Sequence, residues 1–277
     1  MQETAKDASI DWPLVNACKT AAEEHCPKEL VSKVEGSLLK CLIHHKGKEG
    51  INANCKKAVR IRHMEQFTDA RLNPTLLHHC SNEINTHCMH YHENKDKISG
   101  YLMRCLRDVF REQGDDNDDE EENTSKKSKK SKKHKEKRKI SDKCYEAVGN
   151  ELRSVEKSSN PAILDPEIRK FCKNAVEKHC KSRQDDQIEC LRIKFSKGEL
   201  DYDMECANVV GKLLREGKSD ATVDAALDGA CAMDMQTHCK NVPHGHGRKL
   251  QRVWKKVKKS MKVHVCCFLV NFGVFLL

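Results

Sequence analysis

Four nonapeptides in this chain share the pattern C-x6-H-C and little else: CKTAAEEHC at 18–26, CSNEINTHC at 80–88, CKNAVEKHC at 172–180 and CAMDMQTHC at 231–239. Self-similarity at a fixed period is the signature of a repeat architecture. The units begin at 18, 80, 172 and 231, so the outer intervals are 62 and 59 residues. The longer middle interval contains a run of charged residues whose removal restores the period. Each of the first three units adds two cysteines: Cys41 and Cys55, Cys105 and Cys144, Cys190 and Cys206. The third cysteine is always followed by leucine (Leu42, Leu106, Leu191), and the fourth unit keeps only Cys231 and Cys239 in register.

The segments around these cysteines read as helices. They are rich in Ala, Leu, Glu and Lys, and Asn73-Pro74 and Asp165-Pro166 read as an N-cap followed by a first helical residue. GSLLKCLIHHKG and SGYLMRCLRDVFREQG predict a second helix, and INANCKKAVRIRHMEQF and DYDMECANVVGKLLREG a third. No stretch sustains period-two alternation, so no sheet is expected. The expected fold class is all-α: tandem disulfide-stapled helical repeats of about 60 residues. The repeats are placed at 11–73, 74–164 and 165–224, with a truncated one at 225–251. A disordered charged insertion is expected at 114–140, and a non-repeat tail, basic and then apolar, at 252–277.

Composition says why such units need staples. The chain holds 16 Cys but only 7 Phe, 4 Tyr and 2 Trp in 277 residues. Few large apolar groups build small cores, and small cores need covalent or metal staples. An even cysteine count at regular spacing favours disulfides and an oxidising compartment. Two cysteines eight residues apart in one helix lie about 12 Å apart along the axis, too far for a bridge. With the second helix antiparallel to the first and the third returning, Cys26 meets Cys41 at one end and Cys18 meets Cys55 at the other. The same nesting pairs Cys80 with Cys144, Cys88 with Cys105, Cys172 with Cys206 and Cys180 with Cys190. Joining first to third and second to fourth is the alternative. Cys231 and Cys239 lack register partners and are expected to be free, mispaired or bonded to Cys266 or Cys267.

The histidines before each second cysteine, His25, His87, His179 and His238, would need partner ligands at C-x2–4-C spacing to hold zinc, and that spacing is missing here. They are expected at helix C-termini, near the last carbonyls. His44-His45, His78-His79 and the His244, His246 pair read as surface residues. The motifs of metalloproteases, α/β-hydrolases, P-loop and dinucleotide-binding proteins and thiol oxidoreductases do not occur, so no catalytic, cofactor or metal residues are expected. Residues 115–139 hold ten Lys/Arg against eight Asp/Glu, and 248–277 hold eight Lys/Arg and no acid. Set aside these two stretches and the body is close to neutral, which disfavours nucleic acid as a partner. The insertion reads as a solvated loop and carries a glycosylation sequon at Asn123-Thr124-Ser125. The start, MQETAKDASIDWPLV, lacks the pattern of a signal peptide, and Val263–Leu277 is short for a membrane span. The chain is thus expected to be a fragment, with 263–277 at most a marginal anchor and 252–277 arising from read-through, frameshift or mis-splicing.

The unit C-x6-H-C … Cys-Leu … Cys, together with GHGRKLQ in the fourth unit, resembles the repeats of the Golgi apparatus protein 1 family over roughly 11–251. Members of that family are also known as cysteine-rich fibroblast growth factor receptors and E-selectin ligands. The resemblance implies a membrane glycoprotein of the secretory pathway with a lumenal repeat array in the Golgi. It implies no catalysis, fibroblast growth factors as partners whose trafficking is affected, and a selectin as a further partner. It also implies membrane association through a transmembrane helix of the parent protein. The alternative is a nuclear or cytosolic basic-tailed helical protein with reduced thiols.

Overall fold

A computed structural model describes residues 11–32, 34–89, 100–113, 138–158, 161–183, 186–220 and 222–238. Asn123, Cys239, Cys266, Cys267 and the tail lie outside the described residues, as does the side chain of Cys231. The described residues contain helices and turns, with no strand among them. No described helix is long and apolar enough to cross a membrane.

The first repeat is built from α1 (Trp12–His25), the short α2 (Pro27–Leu30), α3 (Ser37–His45) and α4 (Ala53–Thr68). A 3-10 turn, Ala70–Leu72, leads to the second repeat: α5 (Pro74–His79), α6 (Ser81–His87), α7 (Tyr101–Glu112) and α8 (Asp142–Glu156). After α9 (Pro161–Leu164), the third repeat runs through α10 (Pro166–Phe171), α11 (Lys173–Ala175), a π-helical turn at Val176–Cys180, α12 (Gln187–Ser196) and α13 (Met204–Ser219). The helix α14 (Ala225–His238) opens the fourth unit.

Each start is written in the sequence. Asp11, Asn73 and Asp165 cap the first helix of their repeats, their side-chain oxygens accepting from Leu14 N (3.4 Å), Leu76 N (3.1 Å) and Glu167 N (2.8 Å). The third helices begin by a second rule. Asn52, Ser141 and Asp203 accept from the amides of Cys55 (2.8 Å), Cys144 (3.4 Å) and Cys206 (3.1 Å), so the fourth cysteine always sits three residues inside its helix. The second helices α3 and α7 start from Gly36 (φ 77°) and Gly100 (φ 94°), a left-handed conformation that suits glycine.

Bridges join Cys18 to Cys55, Cys80 to Cys144 and Cys172 to Cys206, with Cα–Cα distances of 4.7, 4.6 and 4.7 Å. Others join Cys26 to Cys41, Cys88 to Cys105 and Cys180 to Cys190 at 6.0, 5.9 and 5.9 Å. Each repeat thus carries one close staple between first and third helices and one wider staple between first and second. The loops closed range from 10 to 64 residues, worth roughly 3 to 4 kcal/mol each in the chain-entropy account. The first repeat's core shows why this matters. Among its fully buried described residues, Leu14, Leu38, Leu39, Leu42, Ile51 and Val59 join small alanines and cysteines, and each leucine supplies about 1.5–3 kcal/mol.

The first helix differs from expectation in two repeats. It is continuous from Trp12 to His25 in the first, but turns at Cys80 (φ −106°, ψ 14°) and Cys172 (φ −108°, ψ 9°) in the others. The bend leaves the hydrogen bonding intact: Cys80 N reaches Leu76 O and Ile84 N reaches Cys80 O, both at 2.8 Å. The charged insertion also ends sooner than expected. Arg138 pairs with Glu112 at 2.6 Å, Ser141 N donates to Glu83 at 2.7 Å and Ile140 packs on the core, so 138–140 belong to the ordered repeat.

Candidate functional site

The repeats are joined through arginines that follow the Cys-Leu pair. Arg107, in Cys105-Leu106-Arg107, is buried between the second and third repeats. Its Nε and Nη2 donate to Glu216 of α13 at 2.8 and 2.9 Å, and its Nη1 donates to Asp165 at 2.8 Å. Arg111 also donates to Glu216, while Lys212 and Arg104 reach Glu167 at 3.1 and 3.3 Å. Burial works against charge here, yet Arg107 and Arg111 hold the Glu216 carboxyl below its ordinary range.

A second arginine ties the third repeat back to the second. Arg192, in Cys190-Leu191-Arg192, donates to both oxygens of Glu156 at 2.8 and 3.2 Å. It lies 3.4 Å from Asp224, directly before α14, and 3.6 Å from Glu189. Burial pushes Glu156 up to about 7, Arg192 opposing and Asp224 and Glu216 reinforcing the shift. In the first repeat this position is Ile43, and the seam there is different: His63 Nε2 lies 2.8 Å from Ser154 Oγ. Burial, with Lys46 adding to it, lowers His63 to about 4. Shared hydrophobic side chains complete the join: Phe67, Ala70, Leu164 and Val223 all lie in the core of the second repeat.

Where α3 and α4 face the Arg192 seam, a cleft of about 910 Å³ opens, lined on one side by Lys46, Lys56, Lys57 and Arg60 and on the other by Glu156, Ser158, Glu189 and Arg192. Such a volume suits a small-molecule ligand.

The recurrent histidines do a different job from the one expected. His25 Nε2 lies 3.0 Å from Glu49 O, His87 Nε2 3.1 Å from Lys139 O, and His179 Nε2 3.2 Å from Tyr202 Oη. Each therefore ties the end of the first helix to the chain entering the third, rather than binding its own helix carbonyls. His45, expected at the surface, is half-buried and stacks on His25 with ring centroids 5.6 Å apart. Among the described residues one group of potential metal ligands converges within 4.8 Å, Cys26, Cys41 and His45. Its two sulfurs are joined to each other.

A family model described as a cysteine-rich repeat matches residues 1–50, 53–114, 142–199 and 204–251. The Golgi apparatus protein 1 homolog of Caenorhabditis elegans is 30% identical over 261 residues, covering 88% of this chain and 20% of that protein. Golgi apparatus protein 1 of Gallus gallus and of Homo sapiens are 27% and 26% identical, each covering 90% of this chain. The chain spans about a fifth of the length of these curated relatives. No solved structure matches it. In the frame of the matched segments, Cys55, Cys144 and Cys206 each begin one segment and bond a cysteine of the segment before. With four matched segments across most of its length, the chain belongs to the cysteine-rich repeat family.

Proposed function

We propose that the chain is a non-catalytic binding segment of a Golgi protein, presenting a rigid multi-repeat surface to protein ligands in the lumen. The observation that carries this reading is the buried coupling of successive repeats through Arg107 and Arg192. A surface assembled from several repeats keeps its shape only when neighbouring repeats are locked together, and these ion pairs supply that lock. The Golgi placement is supported by the names of the relatives. Disulfides throughout the described repeats fit an oxidising lumen.

Fibroblast growth factors are the ligands the family resemblance favours, with a selectin as the second. The test is surface plasmon resonance with the bridged chain immobilised and a fibroblast growth factor in solution. Saturable binding to the bridged chain, lost after reduction and alkylation, supports the reading. No saturable binding, or equal binding to the unfolded chain, overturns it.

A further inference from the structure

The cleft between the first repeat and the elements where the later repeats meet has an unusual charge arrangement. Its acids are engaged: Glu156 and Glu189 face Arg192, and Asp186 pairs with Arg183 at 2.5 Å. Lys157 pairs with Asp228 at 2.7 Å. The four cations of the opposite wall, Lys46, Lys56, Lys57 and Arg60, have no carboxylate partner among the described residues. Burial lowers the Lys46 pKa, which marks an ammonium group partly stripped of water without a countercharge.

The far wall adds a second, independent observation. Ser158 Oγ and Arg192 Nε are buried polar atoms without a hydrogen-bond partner, Glu189 Oε2 has only the Arg192 guanidinium 3.6 Å away and no hydrogen bond, and all three residues line this cleft. Ser158 and Arg192 are 7% and 1% exposed. Buried polar groups are normally satisfied, so a cluster of orphans at one cleft calls for a partner. Two of these atoms donate and the carboxylate oxygen accepts, which matches a ligand carrying both anionic groups and hydroxyls. Lys56 and Arg60 sit one turn apart on α4, about 6 Å along the axis, so their long side chains can converge on one small ligand. No Phe, Tyr or Trp lines the cleft, so it offers a nucleobase no stacking platform.

We propose that this cleft binds a compact polyanion, a sugar or polyol bearing several sulfate or phosphate esters and free hydroxyls. Lys46, Lys56, Lys57 and Arg60 neutralise the esters; Ser158 donates to the ligand and Glu189 accepts from a hydroxyl. Ester binding in this cleft stands or falls independently of protein-ligand binding.

Isothermal titration calorimetry of the bridged chain tests this, with inositol trisphosphate and a trisulfated disaccharide as probes. Inositol, the unsulfated disaccharide and tripolyphosphate serve as controls. Saturable one-to-one binding of either ester is expected, and the arm that binds more tightly names the ester. The Lys56→Glu/Arg60→Glu variant should weaken binding at least about tenfold. Charge reversal on another face of the same repeat, Lys19→Glu/Lys28→Glu, should leave it unchanged. Ala226→Trp fills the cleft without altering its charge and should abolish binding, with the thermal midpoint confirming a folded chain. Glu189→Ala should erase any preference for the polyol ester over tripolyphosphate. Absence of saturable binding, or equal weakening by the Lys19/Lys28 reversal, overturns the site.

Discussion

Arg107 Nη1 lies 2.8 Å from Asp165, the residue whose other carboxylate oxygen caps the first helix of the following repeat. One carboxylate therefore starts a helix and anchors its predecessor. Arg192 likewise lies 3.4 Å from Asp224, the residue before α14, while its hydrogen bonds run back to Glu156 of α8.

Arg107→Leu should destabilise the chain by about 3–5 kcal/mol, because it leaves Asp165 buried without its countercharge and Glu216 with Arg111 alone. The double variant Arg107→Leu/Glu216→Leu should lose less than the sum of the single changes. Urea unfolding in a double-mutant cycle measures the difference; strict additivity would rule out the coupling.

The two kinds of cap separate local from inter-repeat effects. Asn52→Ala removes the acceptor for Cys55 N and should cost about 1 kcal/mol. Asp165→Ala removes a cap and a seam carboxylate together, so it should cost clearly more. Equal losses in chemical denaturation would show that the seam contributes nothing.

The pH response should reveal two opposed groups. Glu156 titrates near 7 in the folded chain, above its unfolded value, so its contribution is full at acid pH and lost as pH rises through about 7. His63 titrates near 4, below its unfolded value, so its contribution is full above about 6.5 and lost as pH falls toward 4. Between roughly pH 4.5 and 6.5 the two slopes oppose each other. Glu156→Gln should therefore leave a thermal midpoint that falls toward acid, and His63→Gln one that falls toward neutral pH. Identical pH profiles for the wild type and both variants would refute this assignment.

Thiol chemistry distinguishes the lumenal reading from the cytosolic one. Alkylation and mass spectrometry of the natively expressed chain should find no label on the twelve cysteines from Cys18 to Cys206. Labelling of all twelve would return the chain to a reducing compartment. Cleavage between Gln113 and Arg138 should leave the halves joined through Cys80–Cys144, visible as one band on a gel until reductant is added.

Spacing made much of this architecture legible. A period of about 60 residues, prolines after Asn73 and Asp165, and missing period-two alternation together suffice for an all-α repeat fold. The bends at Cys80 and Cys172 were not legible, because hydrogen bonding continues through them and composition carries no trace. The seams were partly visible: Arg follows Cys-Leu at 107 and 192, but Ile43 breaks the pattern in the first repeat. Without a structure, nothing ties those arginines to carboxylates 109 and 36 residues away. The cleft escaped sequence reasoning for the same reason, since its walls come from different repeats.

The close staple also sets a clock. Cys80 cannot meet Cys144 until 64 further residues have been synthesised, a wait of roughly 3 to 13 seconds at ordinary elongation rates. Cys88 and Cys105 emerge well before that, so the wider bridge has time to close while Cys80 still presents a free thiol to whatever oxidoreductase attends the nascent chain. The charged insertion, through its length alone, makes the second repeat the slowest of the three to become covalently complete.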